Sequence, residues 1–123
     1  MVILKGSIMN EFKVGDGATE LLYSDAHAYT VIAVSKNGRI ITMQRDKATL
    51  LNGADSGEPD ALKFTPGGFA AHCEGTPRYS YERDPEGGII KASLRINNKW
   101  RRQNCTSSGR VIAGRHEHYD YNF

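Results

Sequence analysis

The sequence predicts a mainly β fold, a small antiparallel curved sheet or barrel-like meander with at most one short helix. Three observations carry this prediction. Thirteen glycines in 123 residues require many tight chain reversals. Apolar and polar residues alternate with a period of two in several short runs. Between those runs lie residues that favour turns.

The first β region is VGDGATELLYSDAHAYTVIAVSKNGRIITMQR at 14–45. VGDGA forms a tight entry, and strands are expected at 18–24, 29–35 and 39–45. SDAH at 24–27 makes the first reversal, with the Asp25 carboxylate able to bond its own turn. In the second strand Tyr29, Val31, Ala33 and Ser35 oppose Thr30, Ile32, Val34 and Lys36, as in a sheet with one buried face. SKNGR is a hairpin turn in which Asn37 and Gly38 can both take positive φ. The three strands therefore form a meander.

Residues 46–77 break the pattern. Prolines 59, 66 and 77 and glycines 53, 57, 67 and 68 suggest a long loop or insertion, with DALKF at 60–64 a strand or one helical turn. Loops of that length usually bind something, and TPGGF would present Phe69 over a site. The second β region covers 78–123. RYSYERD (78–84) alternates Tyr79 and Tyr81 with Arg78, Ser80 and Glu82. DPEGG (84–88) is a turn, and IIKASLRI (89–96), KWRRQ (99–103) and VIAG (111–114) are further strands. All 123 residues form one domain of ordinary size.

Composition narrows function only slightly. Hydrophobic residues make up 39% and charged residues 24%, as in a folded but polar domain. A net charge of +2 is too small to identify a nucleic-acid or membrane binder. The distribution says more: Lys91, Arg95, Lys99, Arg101, Arg102, Arg110 and Arg115 stand in 91–115 without one Asp or Glu. That block is either a solvated face or an anion-binding surface. MVILKGSIMNEF has no signal-peptide pattern, and no apolar run approaches the ~20 residues of a membrane span. A soluble cytoplasmic protein is expected, with Cys73 and Cys105 as reduced thiols.

Candidate chemistries separate by spacing. His116 and His118 share a strand face, but the zinc spacings C-x-x-C, H-x-x-x-H and H-E-x-x-H are missing, so no metal is expected. Catalysis is not expected either. Neither cysteine has a setting that lowers its pKa, and there is no G-x-S-x-G elbow. GDGATE lacks the phosphate-loop lysine. Nucleotide binding fits best, because arginine forks hold phosphates and aromatic rings stack on bases. The second half supplies both residue types. The candidate ligand-binding residues are Arg115, Asn98, Arg95, Trp100, Tyr119 and Asp120. Arginines would pair with a pyrophosphate, a ring would stack on adenine, and Asn98 or Asp120 would hold ribose hydroxyls. For Tyr79, Tyr81 and Trp100 a place in the sheet core is the favoured alternative.

The stretches VGDGATELLYSDAHAYTVIAVSKNGRIITMQRDKAT (14–49) and YERDPEGGIIKASLRINNKWR (81–101), with the ending GRHEHYDYNF, resemble a group of small phage proteins. These are the phage anti-Thoeris sponges, which capture cyclic ADP-ribose-type immune signals. The resemblance covers about two thirds of the chain and leaves 50–78 unmatched. It implies a non-enzymatic homo-oligomer in the cytoplasm of an infected bacterial host, with pockets where protomers meet and no cofactor. It maps pocket residues onto Arg115 and Asn98. Some relatives also hold cyclic oligonucleotides at other interfaces, as in CBASS signalling. An aromatic C-terminal segment would then be ordered by pairing with a neighbouring protomer. Two rival readings are a small β-barrel that binds RNA or DNA through 91–115, and a protein-directed phage inhibitor without a small ligand.

Overall fold

A computed structural model describes residues 11–23, 25–65, 72–104 and 109–118. Every regular element among them is a strand: β1 (Gly17–Leu21), β2 (Ala26–Val34), β3 (Ile40–Arg45), β4 (Lys47–Leu50), β5 (Lys63–Thr65), β6 (His72–Glu74), β7 (Tyr79–Glu82), β8 (Ile89–Leu94), β9 (Trp100–Arg102) and β10 (Arg110–Ala113). Six of them close into an antiparallel barrel in the order β1-β10-β9-β8-β3-β2, while β4 pairs with β7 and β5 with β6. Closure removes the unpaired edges that an open sheet would present. The expected meander is present as β1-β2-β3, and no helix occurs among the described residues.

The hairpin between β2 and β3 differs from the expected one. Gly38 takes the left-handed conformation (φ 72°) and Asn37 does not. Asn37 acts through its side chain, which accepts from the Arg39 N–H (3.0 Å) and the Ser35 hydroxyl (2.8 Å). The Gly38 N–H closes the turn onto the Ser35 carbonyl at 2.9 Å. A second difference lies inside β2. A bulge between Val31 and Ala33 adds one residue and flips the inward phase. Tyr29 and Val31 face the core, but beyond the bulge Val34 packs against the core and Ala33 is exposed.

Cross-strand register aligns the interior. Ala18 lies opposite Tyr29, Val31 opposite Met43, Met43 opposite Ile90, and Ile41 opposite Ala92. Trp100 sits between Leu94 and Val111. A barrel of this size is filled by its own side chains, and small Ala18 and Ala92, both fully buried, leave room for the larger ones. Phe12 closes one end, its ring edge-on to Trp100 at 5.4 Å and 81°. A register slip of one residue in any of these strands would turn its apolar set outward.

The expected long loop at 46–77 contains three short strands. Its organiser is Asn52, which is completely buried. Its side-chain amide donates to the carbonyls of Asp60 and Thr76, both at 2.9 Å, and its side-chain oxygen accepts from the Arg78 N–H at 2.8 Å. The Leu62 N–H bonds the Asn52 carbonyl. One polar side chain thus satisfies backbone groups of two segments, at Asp60 and at Thr76–Arg78, that are far apart in sequence.

Candidate functional site

After β10 the chain straps itself across the outside of β1 and β2. The Thr19 hydroxyl donates to the Gly114 carbonyl (2.7 Å) and accepts from the His116 N–H (2.8 Å), turning the chain over β1. His118 then bridges Ala26 through two backbone bonds of 2.9 Å. The tail was expected to be ordered by a partner chain, yet as far as His118 its ordering partner is the start of this chain's own β2. Tyr119 and Asp120 lie outside the described residues.

Two arginine–carboxylate clasps fasten the strap. Arg115 reaches across Gly17, where a Cβ would stand 2.7 Å from its Cγ and Nη1, so only glycine leaves that corridor open. Its Nε donates to Asp46 Oδ2 (2.7 Å) and its Nη2 to the Thr30 hydroxyl (2.8 Å), which donates in turn to Asp46 Oδ1 (2.6 Å). The Asp46 side chain is 1% exposed. Glu117, with a fully buried side chain, takes a fork from Arg45 at 3.0 and 2.7 Å. It also accepts from the Ala28 N–H at 2.9 Å, and the Tyr81 hydroxyl accepts from the Glu117 N–H. Charge-assisted forks of this kind are strong and directional.

A third carboxylate sits within the barrel. Glu20 accepts from the Tyr29 hydroxyl (3.2 Å) and from Arg102 Nη1 (3.3 Å). The Arg45 guanidinium lies 6.0 Å from the Tyr29 ring centroid, at the limit of a cation–π contact. Burial, with the Glu20 charge and hydrogen bond adding to it, pushes the Tyr29 phenol from 10.0 up to about 12. Folding therefore favours the protonated phenol. The stability this confers is complete below pH 10 and is lost as pH rises toward about 12. A phenolate absorbance titration is expected to show one late tyrosine that is missing in Tyr29→Phe. The wild-type unfolding midpoint should fall over the same pH interval. Titration of every tyrosine at the ordinary value would refute the assignment.

Described residues line three surface clefts. The first, of about 350 Å³, is lined by Thr30, Asp46, Tyr81, Glu82, Arg83 and Arg115. Arg83 donates to the Gln44 side-chain oxygen at 2.9 Å and is otherwise turned to solvent. This cleft joins two guanidinium groups, two carboxylates, a hydroxyl and a tyrosine. The second, of about 140 Å³, lies at the Phe12 end among Asn98, Lys99, Trp100 and Arg110. The third, of about 650 Å³, is formed by Pro59, Asp60, Lys63, Thr76 and Arg78 with their neighbours. There Arg78 is engaged by Asp60 and Glu58, and its hydrogen bond holds the Asp60 carboxyl below the usual carboxylate range.

The sequence-derived candidates divide between these places. Arg115 lines the first cleft, while Asn98 and Trp100 line the second. Trp100 is 4% exposed and belongs to the core, so it offers the cleft an edge rather than a stacking face. Asn98 occupies the turn before β9 with φ 67°. Arg95 lies across the Ser93 hydroxyl and the Arg102 carbonyl, both at 3.0 Å. Residues that sequence reasoning left out of the site are Asp46, Thr30, Tyr81, Glu82 and Arg83. The Tyr81–Arg83 alternation was visible, but the pairing of β7 with β4 that brings it beside Arg115 was not. Among the described residues no three His, Cys, Asp or Glu side chains gather to hold a metal.

The fold and the site together define a closed six-stranded antiparallel barrel with arginine-clasped carboxylates and a mixed-charge surface cleft. Compared with known proteins, the chain matches no family model, no curated protein and no solved structure.

Proposed function

We propose that this chain binds and sequesters, without turning it over, a cyclic ADP-ribose-type second messenger at the cleft between Arg83 and Arg115. The observation that carries this reading is the convergence of Arg83, Arg115, Tyr81, Asp46 and Glu82 on one cleft. Guanidinium groups suit a pyrophosphate, the exposed Glu82 carboxylate can accept from a ribose hydroxyl, and a tyrosine ring offers a face to a base. The resemblance of 14–49, 81–101 and the ending to the anti-Thoeris sponges points to the same ligand class. A cleft of about 350 Å³ is at the small end of the ~300–1,000 Å³ typical of ligand pockets. A second copy docked over it would supply the missing wall, and a homo-oligomer with interfacial pockets is part of the proposal.

Isothermal titration with cyclic ADP-ribose isomers is expected to show binding, and heat-denatured protein should release the ligand chemically intact. Arg83→Ala removes an exposed side chain, so the fold should survive and affinity should fall by roughly tenfold or more, the loss of one charge-assisted contact. Recovery of a cleaved ligand, or no binding of any isomer, would sink the proposal.

A further inference from the structure

The outer face of β8, β9 and β10 has a different character from the Arg83–Arg115 cleft. Ala92, Trp100 and Val111 face the core, so Lys91, Ser93, Lys99, Arg101 and Arg110 face outward on the alternate positions. Register places Ser93 opposite Arg101 and Arg101 opposite Arg110. This puts Arg101 and Arg110 on neighbouring strands whose backbones lie about 5 Å apart, which concentrates positive charge on one face.

Ile40 and Thr42 flank this face on the β3 side and Leu21 and Thr19 on the β1 side, all uncharged. Lys91, Lys99 and Arg110 are exposed, and none of the ion pairs among the described residues includes them.

The second cleft opens beside this face. Asn98, Lys99 and Arg110 supply its polar groups, and Phe12 and Trp100 its apolar ones. At about 140 Å³ it falls below the ~300 Å³ at which ligand pockets begin. It therefore suits one phosphate or ring edge of a longer molecule rather than a whole small ligand.

We propose that this face binds the phosphate backbone of single-stranded nucleic acid. Cations spread over three strands can follow successive phosphates. The cleft can take one group swung out of the stack, which a duplex keeps paired. The described outward residues of the three strands include no aromatic ring, so contacts go to phosphates and binding is tolerant of sequence.

Fluorescence anisotropy with a labelled oligouridylate of about 16 nucleotides tests this. Binding is expected at about 50 mM salt and should weaken toward about 200 mM. Neutralising about three phosphates gives a slope near −2 in log K against log salt. The triple variant Lys91→Glu, Lys99→Glu and Arg110→Glu changes only exposed side chains. It should keep the wild-type circular dichroism and bind roughly tenfold or more weakly. Arg83→Ala should bind the oligonucleotide like wild type, which separates this surface from the nucleotide cleft. No binding at low salt, an unaffected triple variant, or a slope near zero would each overturn the proposal. Equally effective competition by polyglutamate would also overturn it, by assigning the face to an acidic protein segment.

Discussion

Glu117→Ala is expected to destabilise the fold by about 3 kcal/mol, near the lower end of the range for removing one partner of a buried ion pair. The Glu117 side chain is fully buried and Arg45 is 24% exposed, so the orphaned guanidinium regains only part of its hydration. The Ala28 N–H loses its carboxylate acceptor in the same step, and an unsatisfied buried donor adds to the cost. Urea unfolding with a common m-value for both proteins would measure the loss. Glu117→Gln keeps the shape and one acceptor oxygen and should fall between wild type and alanine. A change of under about 0.5 kcal/mol, ordinary for a surface substitution, would show that the strap contributes nothing to the barrel.

Gly87→Ala is the second large effect. A Cβ at Gly87 would land on the Arg45 carbonyl oxygen and stand 3.2 Å from the Asp84 carbonyl oxygen. Both neighbours are backbone, so no rotamer change relieves the clash. The 84–88 turn is latched to the end of β3 by Arg45 N–H to the Gly88 carbonyl (2.8 Å) and by Gln44 to the Pro85 and Gly87 carbonyls. Pushing the turn away costs about 3 kcal/mol, at the upper end of usual overpacking penalties. It also shifts Gln44, the partner of Arg83, so nucleotide affinity should fall as well. Gly88→Ala is the internal control, since nothing lies within 4 Å of a Cβ there. It should remain within about 0.5 kcal/mol of wild type. Equal stability of the two variants in thermal or urea unfolding would refute the close approach at Gly87.

The Gly87–Gly88 pair shows how far the sequence could be read. DPEGG is recognisable as a turn because Pro85 presets φ and glycine follows. Nothing local distinguishes the two glycines, because the crowding atom belongs to Arg45 on another strand. The three-stranded meander and the later strands were legible for the same local reason, since alternation and turn residues act over two to five positions. The bulge in β2 was not, because both faces of AYTVIAV are apolar enough to accept either phase. The strands within 46–77 were hidden because they are short and β4 finds its partner in β7, about thirty residues away.

By itself the sequence determined the fold class, the meander and most strand positions, all consequences of residues acting on their close neighbours. The tertiary structure alone decided where the charged groups go. Arg115, the leading candidate from the sequence, meets Asp46 at a sequence separation of 69, and Arg45 meets Glu117 at a separation of 72. A buried carboxylate is stable only beside a cation that satisfies it. Which arginine arrives there depends on barrel closure and on the corridor that Gly17 leaves open, and neither is written in any local stretch of the chain.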